Sequence, residues 1–462
     1  MKRIATFPLV ALILLGFASC DFQLDPNEIK MVVTVNQDTA ETIDDAWDAY
    51  PNGINPGFTS TTYTVDELFA LYSSTYLTST MSPSEIETTQ KGFSAFCTSS
   101  VADYSFPEGD QKFWVIASVT YNYKGKVLPG SLIYCTHGPD KDHMTPISPR
   151  YFVIDSHWTM TGADEFPSVG AAPVIALAHM DAVYVCPDQM AAGEAQPYLV
   201  EEETAQRTIA MAKAALGFLR EQGMAPLKIC EGYSIGYSQG GASALAVQRE
   251  IEKDAALETA IGFHGTYSGA GPYSMTVTLD QWKEWSDGLG PKGNGPEDLA
   301  FPAAIGLIAR AWDAYYGDLL GANTAESCFL SDAFVASGAL ADIDARSHNI
   351  GYINAKIKYA AGGKISTLLK AGWDTNASYK FMQIAQSNDL TQGWTPTHPI
   401  VFFHSTEDEV VPYANTEAAI AAFPEGLTTL HQQTGNHSEV GIKFYSWLGL
   451  QKGFPMAKPK VD

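Results

Sequence analysis

Residues 226–249 have the sequence PLKICEGYSIGYSQGGASALAVQR. A short apolar segment leads into Gly236-Tyr237-Ser238-Gln239-Gly240, and residues that favour helix follow at once. This G-x-S-x-G pattern is typical of a nucleophile elbow, a sharp turn between a strand and a helix that lifts a serine hydroxyl above a sheet. The stretch therefore predicts a strand, a strained turn at Ser238 and a helix.

The same pattern also occurs four residues earlier, as Gly232-Tyr233-Ser234-Ile235-Gly236. If Ser234 occupied the turn, the following helix would contain three glycines, each costing about 1 kcal/mol relative to alanine. With Ser238 at the turn, the glycines belong to the turn and residues 242–253 form the helix. We therefore prefer Ser238 as the nucleophile. The alternative is that both serines lie in an ordinary glycine-rich loop.

The composition limits the class of protein. The chain has 462 residues, of which 45% are hydrophobic, and its 28 basic and 52 acidic residues give a formal net charge of −24. This length is sufficient for one large globular domain or two. A strongly acidic surface repels phosphate backbones, so the composition argues against nucleic acid as a partner.

The first residues resemble a targeting signal. Lys2 and Arg3 precede a short apolar run, and Phe17-Ala18-Ser19-Cys20 follows it. The run is too short to span a membrane, which favours a cleaved signal over residues 1–19. The small residues before Cys20 are typical of a bacterial lipobox and predict lipidation of that cysteine; the alternative is an ordinary secretory signal. We therefore expect an exported protein, lipid-anchored to a bacterial membrane at the periplasmic face or the cell surface.

Residues 20–112 are predicted to form a tether and an N-terminal extension. Within them, Thr64-Val65-Asp66-Glu67 is a capping-box pattern that predicts the start of a helix. We expect regular structure from Phe113 onward. The β-branched and aromatic runs 113–123 and 130–136 flank Lys124-Gly125-Lys126, which predicts a hairpin.

Strand-like and helix-like segments then alternate along the chain. Strands are predicted at 173–178, 183–186, 260–264 and 399–403, and helices at 201–222 and 440–448. This alternation predicts an α/β fold with a mostly parallel central sheet flanked by helices. We assign residues 113–266 and 396–462 to this core. Helical patterns at 299–316 and around Ile357 and Met382 mark residues 267–395 as a mainly helical insertion that caps the core.

Two further residues complete a candidate catalytic triad. The apolar run 399–403 leads into an acidic loop, in which Glu407, Asp408 and Glu409 are candidates for the orienting acid. We prefer Asp408 because of the family resemblance given below. The general base is expected in the loop before the last helix. His437 fits that position better than His431, which follows a strand-like run. His437 would take the Ser238 proton, and Asp408 would orient the imidazole.

Acyl transfer also needs hydrogen-bond donors for the developing oxyanion. The backbone N–H of Gln239, next to the nucleophile, is one candidate. The second is expected in His137-Gly138-Pro139-Asp140, the loop after the strand at 130–136. Because proline has no N–H, either Gly138 or Asp140 would supply it. The two remain alternatives.

These motifs together resemble the α/β-hydrolase superfamily, and more narrowly its secretory-lipase-like and esterase branch. The resemblance is carried by Gly236–Gly241, His137-Gly138, Asp408 before Val411-Pro412, Gly435-Asn436-His437, Gln196–Leu199 and Ala270–Tyr273. It departs from the family at Ser405, where glycine is usual, and at 187–193.

The resemblance implies the α/β-hydrolase fold with a helical cap. It also implies hydrolysis of small-molecule carboxylic esters through an acyl-enzyme on Ser238, with no metal and no cofactor. Two alternatives stay open: a serine peptidase of the same fold, and a non-catalytic surface lipoprotein that binds a ligand.

Overall fold

The computed structural model describes residues 47–64, 66–68, 107–163, 181–191, 193–224, 230–286, 298–317, 321–375, 380–450 and 454. The strands are β1 Thr59–Tyr63, β2 Gln111–Tyr123, β3 Lys126–Gly138, β4 Thr145–Pro146, β5 Tyr151–Ser156, β6 Ala182–Pro187, β7 Glu231–Tyr237, β8 Phe263–Gly269, β9 Ile400–Ser405 and β10 Thr428–Gln433. The signal at 1–19, Cys20 and the strand predicted at 173–178 lie outside the described residues.

The helices fall into two groups. Those of the core are α1 Glu201–Glu221, α2 Gln239–Ile251, α3 Ala255–Ile261, α12 Ala414–Ala422 and α13 His437–Leu450. Those between β8 and β9 are α4 Met275–Ser286, α5 Ala303–Tyr315, α6 Ala325–Cys328, α7 Asp332–Ala336, α8 Ala339–Ala345, α9 Ile350–Ala361, α10 Ile365–Leu368 and α11 Phe381–Ser387. No described helix combines the length and the apolar character that crossing a membrane requires.

The sheet has a parallel half and an antiparallel half. Its strand order is β1-β2-β3-β6-β5-β7-β8-β9-β10, and β4 pairs with β3. Strands β6, β5, β7, β8, β9 and β10 run parallel, whereas β1, β2, β3 and β4 pair antiparallel. The expected mostly parallel sheet therefore describes only the half that carries the candidate site.

The hairpin predicted around Lys124-Gly125 is confirmed. Strands β2 and β3 pair from Tyr123 and Lys126 outward. Lys124 and Gly125 have φ values of 48° and 80°, which is the two-residue turn whose twist matches a hairpin. The predicted helix at 201–222 is also confirmed as α1, and Gly223 beyond it has the positive φ of a helix C-terminal glycine.

Two predicted boundaries were wrong, and one strand was not predicted. Regular structure begins before Phe113, because the extension supplies β1, which pairs with β2. The capping-box bonds between Thr64 and Glu67 follow directly after that strand. The strand expected from Ala260 begins only at Phe263, since Ala260 still belongs to α3. Strand β5 was not predicted, although it lies at the centre of the parallel half.

Helices cover both faces of the parallel half. Phe152 and Ile154 of β5 pack in the larger core, which also contains residues of α1 and α2. Tyr151 and Val153 point to the other face and pack in a second core with residues of α13. Because strands covered on both faces have no solvent-exposed side, β5 is apolar at four consecutive positions.

The helices between β8 and β9 rest on the segments that leave β5 and β6. The N–H of Ala163 donates to the carbonyl of Arg346 over 2.9 Å, and the Thr161 hydroxyl donates to the carbonyl of His348 over 2.8 Å. The Tyr315 hydroxyl donates to the carbonyl of Ala195 over 2.9 Å. These contacts place the helical region over the carboxyl-terminal edge of the parallel strands.

Candidate active site

Ser238 occupies a sharp turn between β7 and α2. Its φ and ψ are 60° and −126°, a conformation that costs a residue with a side chain about 1 to 3 kcal/mol. The turn is tight: a Cβ on Gly236 would collide with the carbonyl group of Gly240. A Cβ on Gly240 would collide with the carbonyl of Ser156 and would lie 2.8 Å from the carbonyl oxygen of His157. The predicted strand and turn are confirmed. Helix α2 is also present, but it begins at Gln239 rather than at Ala242, so Gly240 and Gly241 lie in the helix and not in the turn as predicted.

Ser234, the rival serine, lies inside β7 rather than at a turn. Its side chain is fully buried, and its hydroxyl donates to the carbonyl of Ala244 in α2 over 3.0 Å. A buried, hydrogen-bonded strand residue cannot meet a substrate. The structure thus places Ser238 at the turn and Ser234 in the strand, as predicted, although two of the three glycines lie in the helix.

The structure brings Ser238, His437 and Asp408 together. Ser238 follows β7, Asp408 lies in the loop after β9, and His437 is the first residue of α13, after β10. His437 Nε2 lies 2.9 Å from Ser238 Oγ, and His437 Nδ1 lies 2.7 Å from Asp408 Oδ2. An ionised carboxylate can only accept, so Nδ1 carries the proton and donates to Asp408. Nε2 is then the acceptor for the Ser238 hydroxyl, which is the arrangement of a nucleophile with its general base.

Backbone groups and a second imidazole fix Asp408. Its Oδ1 accepts hydrogen bonds from the N–H groups of Val410 and Val411 over 2.9 and 2.8 Å. His404 Nε2 lies 3.3 Å from Asp408 Oδ2. Burial raises the pKa of Asp408, but His437 and His404 outweigh it and hold that pKa well below its ordinary value. The carboxylate therefore stays ionised.

His404 was not assigned a role from the sequence. It is fully buried at the end of β9, with Nδ1 2.7 Å from the Thr416 hydroxyl oxygen and Nε2 3.1 Å from the carbonyl oxygen of Val411. Its signal in the sequence is its position, directly after an apolar run and four residues before the acid. The loop after β9 folds back on the strand and brings the two side chains together.

Glu407 and Glu409, the rival acids, tie the acidic loop to the loop of the base. Glu407 accepts the N–H of Gly435, and Glu409 accepts the N–H of His437, each over 3.0 Å. Burial lowers the pKa of His437, but Asp408 and Glu409 raise it, and the net shift is upward. The imidazole is thereby disposed to hold the proton that leaves Ser238.

His431, the rival base, is a strand residue. It lies in β10, and its ring stacks on Phe403 at a centroid distance of 6.0 Å and contacts Trp447 at 4.6 Å. Burial lowers its pKa. The aromatic contacts account for its position without any role at the site.

The predicted second oxyanion donor is wrong. Gly130 pairs with Pro187 at the carboxyl end of β6, and β3 then runs antiparallel away from that edge. Gly138, eight residues further on, lies roughly 26 Å along the strand. Gly138 and Asp140 are therefore at the opposite edge of the sheet from Ser238. Asp140 is exposed there and contacts His143 over 2.8 Å.

The segment that passes beside the elbow follows β5 instead. Ser156 pairs with Gly236 in the parallel ladder, and the carbonyls of Ser156 and His157 border Gly240. Gln239, the other predicted donor, is the first residue of α2 and is buried next to Ser238. The elbow is therefore bordered by the backbone of Gln239 on one side and by the backbone of the residues after Ser156 on the other.

Known structures share this architecture. No protein-family model matches the sequence, and comparison with curated proteins found no match. The solved structure of LipA from Xanthomonas oryzae, a rice cell wall degrading esterase, is 20% identical, with a TM-score of 0.57 over 86% of this chain and 95% of that one. A structure from Legionella pneumophila is 13% identical, with a TM-score of 0.59 over 87% of this chain and 100% of that one. The chain has the α/β-hydrolase fold.

In an α/β hydrolase, the triad partners follow in the order serine, acid and histidine, from loops at one edge of the sheet. Ser238, Asp408 and His437 occur in that order, and all three follow the carboxyl ends of parallel strands. The chain order of these three residues and their shared edge of the sheet thus support a triad independently of the hydrogen-bond distances.

Proposed function

We propose that this protein is a serine hydrolase that cleaves carboxylic esters through an acyl-enzyme formed on Ser238. The observation that carries the proposal is the hydrogen-bonded chain from Ser238 Oγ to His437 at 2.9 Å and from His437 to Asp408 at 2.7 Å. A nucleophile, a base within hydrogen-bond reach and a group that orients the base are the signature of covalent catalysis by serine.

The reaction follows from the positions of the protons. Ser238 Oγ attacks the ester carbonyl carbon while its proton passes to His437 Nε2, and a tetrahedral intermediate forms. His437 then gives this proton to the leaving alcohol oxygen as the carbon–oxygen bond breaks. Water, activated by the same imidazole, attacks the acyl-enzyme, releases the acid and restores the Ser238 hydroxyl. Asp408 stays ionised and stabilises the imidazolium.

The oxyanion of each intermediate needs fixed donors. We assign one to the backbone N–H of Gln239, which lies at the N-terminus of the 13-residue helix α2, where the helix dipole favours negative charge. We assign the second to the backbone that follows Ser156, because this segment borders the elbow. This replaces the assignment to Gly138 or Asp140.

The choice of an ester over other acyl compounds is supported by the fold comparison. LipA, which shares the fold, is an esterase that degrades rice cell walls. We therefore propose a small-molecule ester as the substrate, held under the helices between β8 and β9 as a cap. The chemistry uses side chains and backbone of this chain alone.

We also propose that the protein is exported and held to a bacterial membrane by a lipid on Cys20. The proposal rests on Lys2, Arg3 and the sequence Phe17-Ala18-Ser19-Cys20. Cys20→Ala should move the protein from the membrane fraction to the soluble fraction of the cell envelope or the medium. Retention of this variant in the membrane fraction would contradict lipidation.

Hydrolysis assays separate the candidate functions. The purified protein should hydrolyse 4-nitrophenyl acetate and butyrate and should leave aminoacyl 4-nitroanilides intact. Cleavage of the anilides at a comparable kcat/KM would instead identify a peptidase. Absence of both activities in a folded protein would favour a non-catalytic binding role.

A further inference from the structure

A cavity of about 200 Å³ lies between the segments that leave β5 and β6 and the helices that rest on these segments. The segment after β5 contributes Met160, the segment after β6 contributes Met190 and Gln196, and helices α5 and α8 contribute Leu307 and Ile343. The cavity therefore opens where the helical region meets the carboxyl-terminal edge of the parallel strands, which is the edge that bears Ser238.

A hydrogen bond connects this cavity to the elbow. Gln196, in the cavity wall, approaches Gln239 through Nε2 and Oε1 at 3.5 Å, and Gln239 directly follows Ser238. Met160 lies four positions beyond Ser156, whose carbonyl borders Gly240. One wall is thus continuous with the segment that borders the elbow, and another is hydrogen-bonded to the residue after Ser238.

The strand order tells which part of a substrate would enter the cavity. Asp408 and His437 follow β9 and β10, on one side of β7, whereas the cavity segments follow β5 and β6, on the other side. The leaving alcohol must face His437, because the imidazole protonates it. The acyl group, which stays on Ser238, then extends away from His437 and toward the cavity.

The size and polarity of the cavity limit the acyl group. A cavity of about 150 Å³ holds benzene, so 200 Å³ holds by proportion an acyl group of about eight carbons. The lining is partly charged, because it includes Glu194 and Arg346 as well as a wall formed by Arg310 and Asp344. In that wall, Arg310 binds Asp344 through Nε and Nη2 over 2.8 and 2.7 Å, and it also binds Glu326, outside the lining, through Nη1 over 2.9 Å. A long hydrocarbon against this wall would remove water from the ion pair without replacing its hydrogen bonds.

We propose that this cavity is the acyl subsite and that it restricts the enzyme to esters of short, compact acids rather than long-chain fatty acids. The inference rests on the proposed ester hydrolysis and adds the class of acid to it. Ile343 and Ala195 both line the cavity, so substitutions of these residues change its volume.

Two variants test the subsite in opposite directions. Ala195→Leu fills the cavity and should lower kcat/KM for 4-nitrophenyl hexanoate, relative to the acetate, roughly tenfold or more, because one or two methylenes in a fixed pocket have effects of this size. Ile343→Ala enlarges the cavity and should raise kcat/KM for the octanoate relative to the butyrate. Matched controls are Ala355→Leu, on the exposed side of α9, and Ile350→Ala, which does not line the cavity.

Labelling with a small fluorophosphonate, measured on the same samples, separates the two proposals. Shifted chain-length profiles with labelling retained support the subsite. Unchanged profiles with labelling retained, or a wild-type preference for 4-nitrophenyl palmitate, would overturn the subsite and leave ester hydrolysis standing. Neither labelling nor hydrolysis in the wild-type protein would overturn both.

Discussion

The Tyr237 hydroxyl donates a hydrogen bond to the carbonyl oxygen of His437 over 2.7 Å, and the two rings lie 5.0 Å apart. Tyr237, which directly precedes the candidate nucleophile Ser238, thus fixes the backbone of His437, the candidate base. Two glycines make room for the tyrosine ring: a Cβ on Gly441 would come within 2.9 Å of it, and one on Gly269 closer still. Helix α13 therefore docks onto the elbow itself.

Tyr237→Phe should loosen this docking. The ring contacts remain, but the lost hydrogen bond should reduce the free energy of unfolding by about 1 kcal/mol. Small displacements of a base reduce rate strongly, so we expect kcat to fall about 10- to 100-fold with KM little changed. Steady-state kinetics check this, with Tyr359→Phe as control because Tyr359 is 95% exposed. An unaltered kcat would contradict the positioning role.

Asp408→Asn should change both the level and the pH dependence of activity. Catalysis needs neutral His437, and Asp408 helps to raise the pKa of its imidazole above the ordinary 6.5. The wild-type kcat/KM should therefore decrease as the pH is lowered, with a midpoint above pH 6.5. In Asp408→Asn the lost negative charge lowers that pKa, so the acid limb moves to lower pH while the plateau drops by about 10⁴-fold.

A pH profile of 4-nitrophenyl butyrate hydrolysis measures both effects. The control is Glu417→Gln in α12, which lies outside the hydrogen bonds that hold His437 and should leave the midpoint in place. A midpoint in Asp408→Asn equal to or above that of the wild type would contradict the conclusion that the charge of Asp408 raises the pKa of His437.

Gly240→Ala should abolish activity or folding. Its Cβ would collide with the Ser156 carbonyl, and relief of that collision must displace either the elbow or the segment after β5. Gly351→Ala in α9 is the matched control, because its Cβ would meet only the Asn349 side chain at 3.5 Å and helix propensity favours alanine. Thermal unfolding and ester hydrolysis should separate the two variants. Wild-type activity in Gly240→Ala would refute the tight packing at the turn.

Glu201 should make the protein less stable as pH rises. It is buried at the start of α1, and among the described residues neither carboxylate oxygen has a hydrogen-bond partner. Burial raises its pKa from 4.5 to about 8, with Arg249 opposing. The folded protein then holds a proton that the unfolded chain releases above pH 4.5. Stability should fall by about 1.4 kcal/mol per pH unit between about pH 4.5 and 8 and level off above.

Denaturant unfolding of Glu201→Gln across this range measures the effect. The glutamine cannot ionise, so the fall in stability with pH should be less steep by about 1.4 kcal/mol per pH unit. Glu202→Gln, at the exposed neighbouring position, should leave the wild-type slope unchanged. Equal slopes in Glu201→Gln and the wild type would show that Glu201 is already ionised in the folded protein.

The elbow and the proximity of its two partners could be predicted because they depend on local chemistry and on chain order. The glycines around Ser238 specify a tight turn, and Asp408 and His437 each follow a strand-like run. The second oxyanion donor could not be found in the same way. Its location depends on the direction of β3 relative to β6, which is set by the pairing of the two strands and not by the residues of β3 alone.

Strand β5 was missed because of its polar end. Its sequence, Tyr-Phe-Val-Ile-Asp-Ser, ends in two polar residues, and Asp155 is nevertheless buried with a pKa raised to about 8. A buried carboxyl in a central strand contradicts the usual composition of such strands.

The polar contact of His404 with Asp408 could not be predicted either, because it requires the loop after β9 to fold back on the strand.

The proposed mechanism depends most on the identity of the nucleophile. Labelling with a fluorophosphonate, followed by mass spectrometry of the modified peptide, measures it directly. We predict that the label resides on Ser238, that Ser238→Ala is not labelled, and that Ser234→Ala, which alters only a buried hydroxyl, is labelled like the wild type. A label on any other residue, or labelling retained in Ser238→Ala, would contradict the account.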